Sequence, residues 1–282
     1  MNRLTRILIE LALEEDLRDV GDLTSAHFVD PRHQSKGKIV SRESAVISGN
    51  EVGAAVCNAV SDDLEFTVVV PDGTAVEKGD VVAEISGPTQ SILTAERTVL
   101  NFMQRLSGVA TATRTYIDKI SHTEAVLLDT RKTTPGFREL EKNAVVHGGA
   151  TNHRRGLYDA VMVKDNHLAA NLTPIDLAER VGELRSTNPD LKIEVEADRL
   201  DQVEAFLKIP EIDVILLDNM SNDELREAVE KRNRIDDDIR LEASGGVNLD
   251  TIKAIAETGV DFISAGALTH SVRSIDLGLD LA

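Results

Sequence analysis

The sequence predicts an α/β protein, an open or incomplete α/β barrel preceded by an N-terminal α+β sandwich domain. Three observations carry that expectation. Six short apolar runs recur after residue 124, each succeeded by helical or loop sequence. Several of them, such as Val214-Ile215-Leu216-Leu217, are apolar throughout, as strands buried on both faces must be. Before residue 108 the β-rich runs are instead punctuated by turn signals, the pattern of antiparallel strands. Strands alternating with helices give a parallel sheet, and six or more such units favour a barrel. Their irregular spacing fits incomplete closure as well as an eight-fold ring.

Leu4, Ile7, Leu8 and Leu11 have the spacing of a helix over 4–17 with a charged outer face. Gly21-Asp22-Leu23-Thr24-Ser25 reads as a turn. Strands are expected at Lys38–Val40, Ala45–Ser48, Glu65–Val70 and Val81–Ile85, separated by Ser48-Gly49-Asn50, Pro71-Asp72-Gly73 and Lys78-Gly79-Asp80. Residues 90–120 read as helical, with Ile92, Leu93, Val99, Leu100, Phe102, Met103 and Leu106 on an apolar stripe. Ser107-Gly108 interrupts that stripe, so a kink or two helices are expected. The six later runs are Ala125–Leu128, Ala160–Val163, Ile193–Val195, Val214–Leu217, Ile239–Leu241 and Phe262–Ile263. The division into domains is placed at 1–108 and 109–271.

Composition narrows the function. At 282 residues, 41% hydrophobic and 28% charged, the chain is globular, and no apolar run approaches the ~18 residues of a membrane span. A net charge of −18 argues against nucleic acid and anionic membrane as partners. The N-terminus lacks the apolar stretch of a signal peptide, and the single cysteine, Cys57, cannot form an internal disulfide, so a cytoplasmic setting is expected. Arginines outnumber lysines 20 to 11 in this acidic chain, which raises adaptation to high salt as a hypothesis. Residues 129–167 run the other way, with seven Lys/Arg against five Asp/Glu and three histidines besides. A basic island in an acidic protein suits a small anionic ligand.

The residues just past each apolar run are the informative ones. The runs end in Asp129-Thr130-Arg131-Lys132, Lys164-Asp165-Asn166-His167, Glu196-Ala197-Asp198, Asp218-Asn219, Ser244-Gly245-Gly246 and Ser264-Ala265-Gly266. In a barrel those carboxyl ends share one mouth, where such enzymes keep their active sites. The two last turns, placed before helices, suit a phosphate, because glycine permits close approach and the helix start adds a favourable dipole. Arg131, Lys132, Arg154 and Lys164, with His153 beside Arg154, supply cations for carboxylates. Glu196 and Asp218 could hold Mg²⁺ through water or bind ribose hydroxyls, but they also suit helix caps or an ion pair with Lys164. Asp236-Asp237-Asp238, His33 and His122 read as solvated surface.

Longer strings carry a family resemblance. Thr130-Arg131-Lys132-Thr133-Thr134-Pro135-Gly136, Asn152-His153-Arg154, Met162-Val163-Lys164-Asp165-Asn166-His167, Glu194-Val195-Glu196 and Leu217-Asp218-Asn219 strongly resemble quinolinate phosphoribosyltransferases. Glu15-Asp16, Gly21-Asp22-Leu23-Thr24-Ser25, Glu96-Arg97-Thr98, Gln104-Arg105-Leu106-Ser107-Gly108 and Gly266-Ala267-Leu268-Thr269-His270-Ser271 extend the likeness over almost the whole chain. The resemblance implies transfer of phosphoribose from phosphoribosyl pyrophosphate to quinolinate, with loss of pyrophosphate and CO₂, in NAD biosynthesis. It implies a quinolinate grip of Arg97, Thr130, Arg131, His153, Arg154 and Lys164, with Arg97 donated across a homodimer. Lys132, Ser244, Gly245, Gly246, Ser264, Ala265, Gly266 and His270 would serve the phosphates. Lys132, Lys164, Glu196 and Asp218 would be the catalytic set, with Mg²⁺ held indirectly by the two acids and no organic cofactor. Residues 272–282 would return to the N-terminal domain.

Two other readings stand beside it. Lys164 at a strand end also suits a Schiff-base aldolase. A transferase acting on another pyridine or pyrimidine is the nearer alternative. Asp72–Asp80 is similar to a biotinyl-carrier hairpin but lacks a modifiable lysine at the expected turn.

Overall fold

The computed structural model describes residues 1–168, 173–235 and 238–281; of the acidic run read as a solvated loop, Asp236 and Asp237 lie outside the described residues. The chain opens with α1 (Arg3–Leu17), α2 (Leu23–Phe28), β1 (Gln34–Ser41), β2 (Ala45–Val46), α3 (Asn50–Val60), β3 (Glu65–Val68), β4 (Ala75–Val76) and β5 (Val81–Pro88). Next come α4 (Thr89–Ile120), β6 (Val126–Leu128), α5 (Arg138–His147), β7 (Val161–Val163), α6 (Asp165–Leu168), α7 (Pro174–Thr187) and β8 (Ile193–Ala197). The remainder is α8 (Leu200–Phe206), β9 (Val214–Asp218), α9 (Asn222–Ile235), β10 (Arg240–Ser244), α10 (Ile252–Ala256), β11 (Phe262–Ser264), α11 (Ala267–His270) and β12 (Leu277–Leu281). The chain divides into two compact units. One is Met1–Arg114, Thr133–Gly149 and Leu268–Ala282, and the other is Thr115–Lys132 and Ala150–Ala267.

The first unit is built on an antiparallel sheet in the order β12-β1-β5-β3, with β2 and β4 paired separately. The last strand pairs with β1 from Gly37↔Leu281 to Ser41↔Leu277. Ile39, Ile47, Val56, Ile85, Met103 and Leu106 are among the side chains that fill its core. Two local expectations change. The segment read as a turn around Asp22 is the start of α2: Asp22 caps it by accepting from the Ser25 amide at 3.0 Å. The break expected at Ser107-Gly108 does not occur, and α4 runs unbroken for 32 residues. Ser107 accepts from the Ser48 amide and donates to its carbonyl, while a Cβ on Gly108 would stand 2.2 Å from the Arg273 carbonyl oxygen. The glycine serves close packing against another backbone, so its helix penalty is offset by contact.

A buried carboxylate ties this unit together. Glu141, fully buried on α5, accepts from Arg105 at 2.7 Å and from the Thr134 hydroxyl and amide at 2.9 and 3.0 Å. Arg105 also donates to the carbonyls of Thr269 and Val272.

The second unit is a six-stranded parallel sheet in the order β6-β11-β10-β9-β8-β7. The six runs in the sequence are its six strands. Among the described residues β6 and β7 form its two ends and do not pair with each other; Leu128, the last residue of β6, makes an isolated parallel bridge to Thr151 in the segment before β7. Residues at the carboxyl ends of all six strands nevertheless line a single cleft. A flat sheet cannot do that, so the strands curl round into an open barrel. Leu127, Ile193, Val195, Ile215, Leu217, Leu241 and Ile263 are buried on the opposite strand faces from the residues that reach the cleft.

Candidate active site

The cleft encloses about 590 Å³. Thr130, Arg131 and Lys132 enter after β6, His153 and Arg154 from the segment before β7, and Lys164 from the end of β7. Glu196, Asp218, Ser244 and Ser264 come from β8, β9, β10 and β11, with Gly245 and Gly246 just past β10. Twelve of the residues singled out from sequence therefore meet in one place. Alternate residues of a strand share a face, so the cleft takes Met162 with Lys164, Leu216 with Asp218, and Glu242 with Ser244. A count of two positions back from each strand-end residue would have found Met162, Leu216 and Glu242, which sequence reasoning missed as site residues; Asn219 was read at the mouth but assigned no role.

The cations are held in place but not exhausted. Arg131 Nε is buried and has no hydrogen-bond partner. The Arg154 pKa is lowered by burial and by the nearby Arg131, so these two guanidiniums sit close enough to repel. Two like charges in a partly buried cleft are costly until an anion joins them. Lys164 Nζ lies 2.5 Å from Glu196 Oε2, so the ion pair weighed from sequence is present.

The glycine corner is real, with a different origin from the one expected. Gly245 and Gly246 have φ of +91° and +63°, and a Cβ on Gly245 would meet Asn219 Oδ1 at 2.1 Å. Asn219 is itself left-handed and donates its amide to the Ser244 carbonyl. The helix dipole expected behind the corner is small. The next helix, α10, starts at Ile252 and has five residues, and α11 after the second turn has four. Ala265 is buried and its amide donates to the Leu128 carbonyl, so its N–H is committed to the sheet. Ala265, Gly266, His270 and Arg97 are not among the residues lining the cleft. Arg97 is exposed on α4 and His270 is exposed on α11, its Nδ1 2.6 Å from the Ser271 hydroxyl.

At the base of the cleft, His153 Nε2 lies 3.1 Å from Glu194 Oε2 and 3.4 Å from Glu242 Oε2. Burial alone depresses the imidazolium, but the two carboxylates outweigh it and draw the His153 pKa up to about 9. Burial raises the Glu194 pKa, and Glu242 adds to the effect. These three side chains are a close group of metal-type donors, although sequence pointed to Glu196 and Asp218 for that role. Of those two, Glu196 is paired with Lys164 and Asp218 accepts from the Asn219 side chain.

A serine–histidine–aspartate set in the first unit does not make a second catalytic centre. Ser48 Oγ and Asp72 Oδ2 both face Nδ1 of His147, at 2.8 and 3.9 Å, and Ser48 is buried. A relay needs the two partners on opposite ring nitrogens.

Fold and cleft together define a small-molecule enzyme of the α/β-barrel class, its cleft at the carboxyl ends of the strands and lined by Arg131, Lys132, Arg154 and Lys164. Comparison with known proteins sharpens this. Residues 22–107 match the family model for the quinolinate phosphoribosyl transferase N-terminal domain, and residues 109–280 match that for the C-terminal domain. The chain belongs to the quinolinate phosphoribosyl transferase family. It is 41% identical over 278 residues to the nicotinate-nucleotide pyrophosphorylase (carboxylating) of Mycobacterium leprae, covering 98% of this chain and 96% of that one. A probable enzyme of the same name from Bacillus subtilis is 36% identical, over 94% of this chain and 90% of the relative. Among solved structures, the nicotinate-nucleotide pyrophosphorylase of Francisella tularensis superposes with a TM-score of 0.91 at 35% identity, covering 100% and 97% of the two chains.

Proposed function

We propose that this chain joins quinolinate to phosphoribosyl pyrophosphate, releasing pyrophosphate and CO₂ and forming nicotinate mononucleotide. The observation that carries the reading is the buried, unpartnered Arg131 Nε in a cleft that also holds Arg154 and Lys164. A dicarboxylate supplies the charge that this group lacks. Glu196 and Asp218, at neighbouring strand ends in the same cleft, suit the sugar side.

In the reaction the pyridine nitrogen donates its lone pair to the anomeric carbon, while pyrophosphate leaves with the electrons of the broken C–O bond. Positive charge develops on the sugar, and the carboxylates of Glu196 and Asp218 stabilise it. Arg131, Arg154 and Lys164 hold the dianion so that its nitrogen faces the sugar. The ring then carries positive charge, accepts the electron pair freed by loss of the adjacent carboxylate as CO₂, and takes a proton at that carbon. Lys132 faces the pyrophosphate, and the Gly245-Gly246 corner takes the 5′-phosphate.

Mg²⁺ fits this site through its water shell, because Glu196 and Asp218 offer hard oxygens that are already engaged by Lys164 and Asn219. It supplies neutralisation of the leaving group. The active unit is a homodimer in this reading, with the exposed Arg97 completing the partner's site. Exposed Leu4, Leu11, Leu23 and Phe28 give the surface for a second copy. The cytoplasmic setting fits a chain in which no described helix is long and apolar enough to cross a membrane.

Incubation of the purified protein with quinolinate, phosphoribosyl pyrophosphate and Mg²⁺ tests the activity, with CO₂ and nicotinate mononucleotide as the expected products. Their absence overturns it. Mixing Arg97→Ala with Arg154→Ala protein tests the shared site: partial recovery of activity is expected, and no recovery removes the dimeric arrangement.

A further inference from the structure

Glu194 and Glu242 are 1% and 0% exposed, yet none of their four carboxylate oxygens has an aligned hydrogen-bond donor. Buried carboxylates of this kind are costly. Glu242 also borders the cleft assigned to a dianion, where a carboxylate would repel the ligand rather than bind it. Both acids instead face one group. The His153 ring is 6% exposed, and its Nε2 lies between their oxygens at 3.1 and 3.4 Å.

The other end of that ring is occupied as well. The Arg154 backbone amide donates to His153 Nδ1 at 2.6 Å, and the His153 amide donates to Asp129 Oδ1 at 2.8 Å. That amide faces Nδ1 while the two carboxylates face Nε2, so it is the Nε2 proton that the acids hold. Both ring nitrogens are therefore turned toward the protein, and the residue after the ring carries a guanidinium that lines the cleft. Arg154 reaches the Ala160 carbonyl at 3.4 Å and Met162 sulfur at 3.5 Å, contacts too weak to fix it alone.

We propose that Glu194 and Glu242 are positioning residues for quinolinate: they clamp the Nε2–H end of His153, and the ring in turn sets the peptide from which Arg154 enters the cleft. His153, itself at the cleft, then also serves the site as a strut. The proposal rests on the assignment of Arg154 to the dicarboxylate. Around this group Asp129 accepts the His153 amide and Lys192 acts on Glu194, while Arg131 and Asp159 act on Arg154.

The test uses the full chain with Glu194→Gln, Glu242→Gln and the double variant, assayed with both substrates after wild-type turnover has been measured. Each single variant is expected to raise KM for quinolinate about 10-fold, by misplacing Arg154, with KM for phosphoribosyl pyrophosphate unchanged. In ¹⁵N-histidine spectra, with His153 assigned by its loss in His153→Asn, the wild-type ring should keep Nε2 protonated from pH 6 to 8. In the variants that Nε2 resonance should move. An unchanged KM for quinolinate, KM values for both substrates rising in step, or a His153 signal indifferent to both substitutions overturns the proposal. So does one equivalent of divalent metal copurifying with the wild type and lost from the variants, because the trio would then be a metal site. If the double variant does not fold, the single variants and the wild-type ring signal still decide. Wild-type activity separates failure of this idea from failure of the assigned reaction.

Discussion

Three of the described glutamates are fully buried, and their surroundings differ. In the first unit, Glu141 receives Arg105, the Thr134 hydroxyl and the Thr134 amide, so both oxygens are satisfied. In the second unit, Glu194 and Glu242 share a single imidazole, and no donor is aligned with any of their oxygens. Burial is the same, but the hydrogen bonding is not. A satisfied buried charge holds a fold together, whereas an under-satisfied one costs stability and persists where it serves a ligand. The Arg131 guanidinium, with its buried and unpartnered Nε, belongs to the second kind.

The sharpest way to break this contrast is at Glu141. Glu141→Ala removes the carboxylate partner of Arg105, which is 25% exposed and keeps the Thr269 and Val272 carbonyls, and should cost about 3 kcal/mol in denaturant-unfolding free energy. An unchanged midpoint would show that the satisfied carboxylate is not structural. Arg131→Ala should do the converse. It is expected to lower kcat/KM for quinolinate by at least about 10²-fold, the loss of charge-assisted bonds to a carboxylate, while the unfolding midpoint stays in place. A fall in stability without loss of turnover would move Arg131 into the structural class.

Smaller effects sharpen the picture of the first unit. Gly108→Ala forces a methyl group against the Arg273 carbonyl oxygen and should destabilise by about 1–3 kcal/mol, read by thermal unfolding. A neutral result would mean that the close approach is dispensable. Cys57 is buried, and burial pushes its thiol up to about 12. The native protein should show no thiol reactive toward a disulfide reagent at pH 8, and one thiol in denaturant. A rapid native reaction would mean that this core opens.

Much of the second unit was legible because its signals are local. Each apolar run is a strand, and the polar residue after it falls at the cleft by the geometry of parallel strands alone. Lys164, Glu196 and Asp218 could be placed in that way. Glu194 and Glu242 could not, because an acid inside a strand reads as an exception to the apolar pattern until a histidine from another segment is seen beside it. Gly108 misled for the same reason. Its local propensity says break, and the backbone that rewards a missing side chain lies some 165 residues further along, at Arg273. The helix α3 carried two early glycine and asparagine turn signals at Gly49-Asn50 and escaped notice, although Val52, Val56 and Cys57 have helical spacing. Ala265 looked like half of a phosphate turn, but its amide is taken by a neighbouring strand, a partner visible only in three dimensions.

The pairing of Gly37 with Leu281 has a consequence for biosynthesis. These positions are 244 residues apart, so β1 leaves the ribosome long before β12 exists. At roughly 5–20 residues per second, one side of β1 waits on the order of 10–50 s for its neighbour. An open strand margin of that kind invites pairing with other nascent chains. The solvent-facing Lys36 and Lys38 on that strand place charge along the waiting margin, a sentry against such mispairing until the tail arrives.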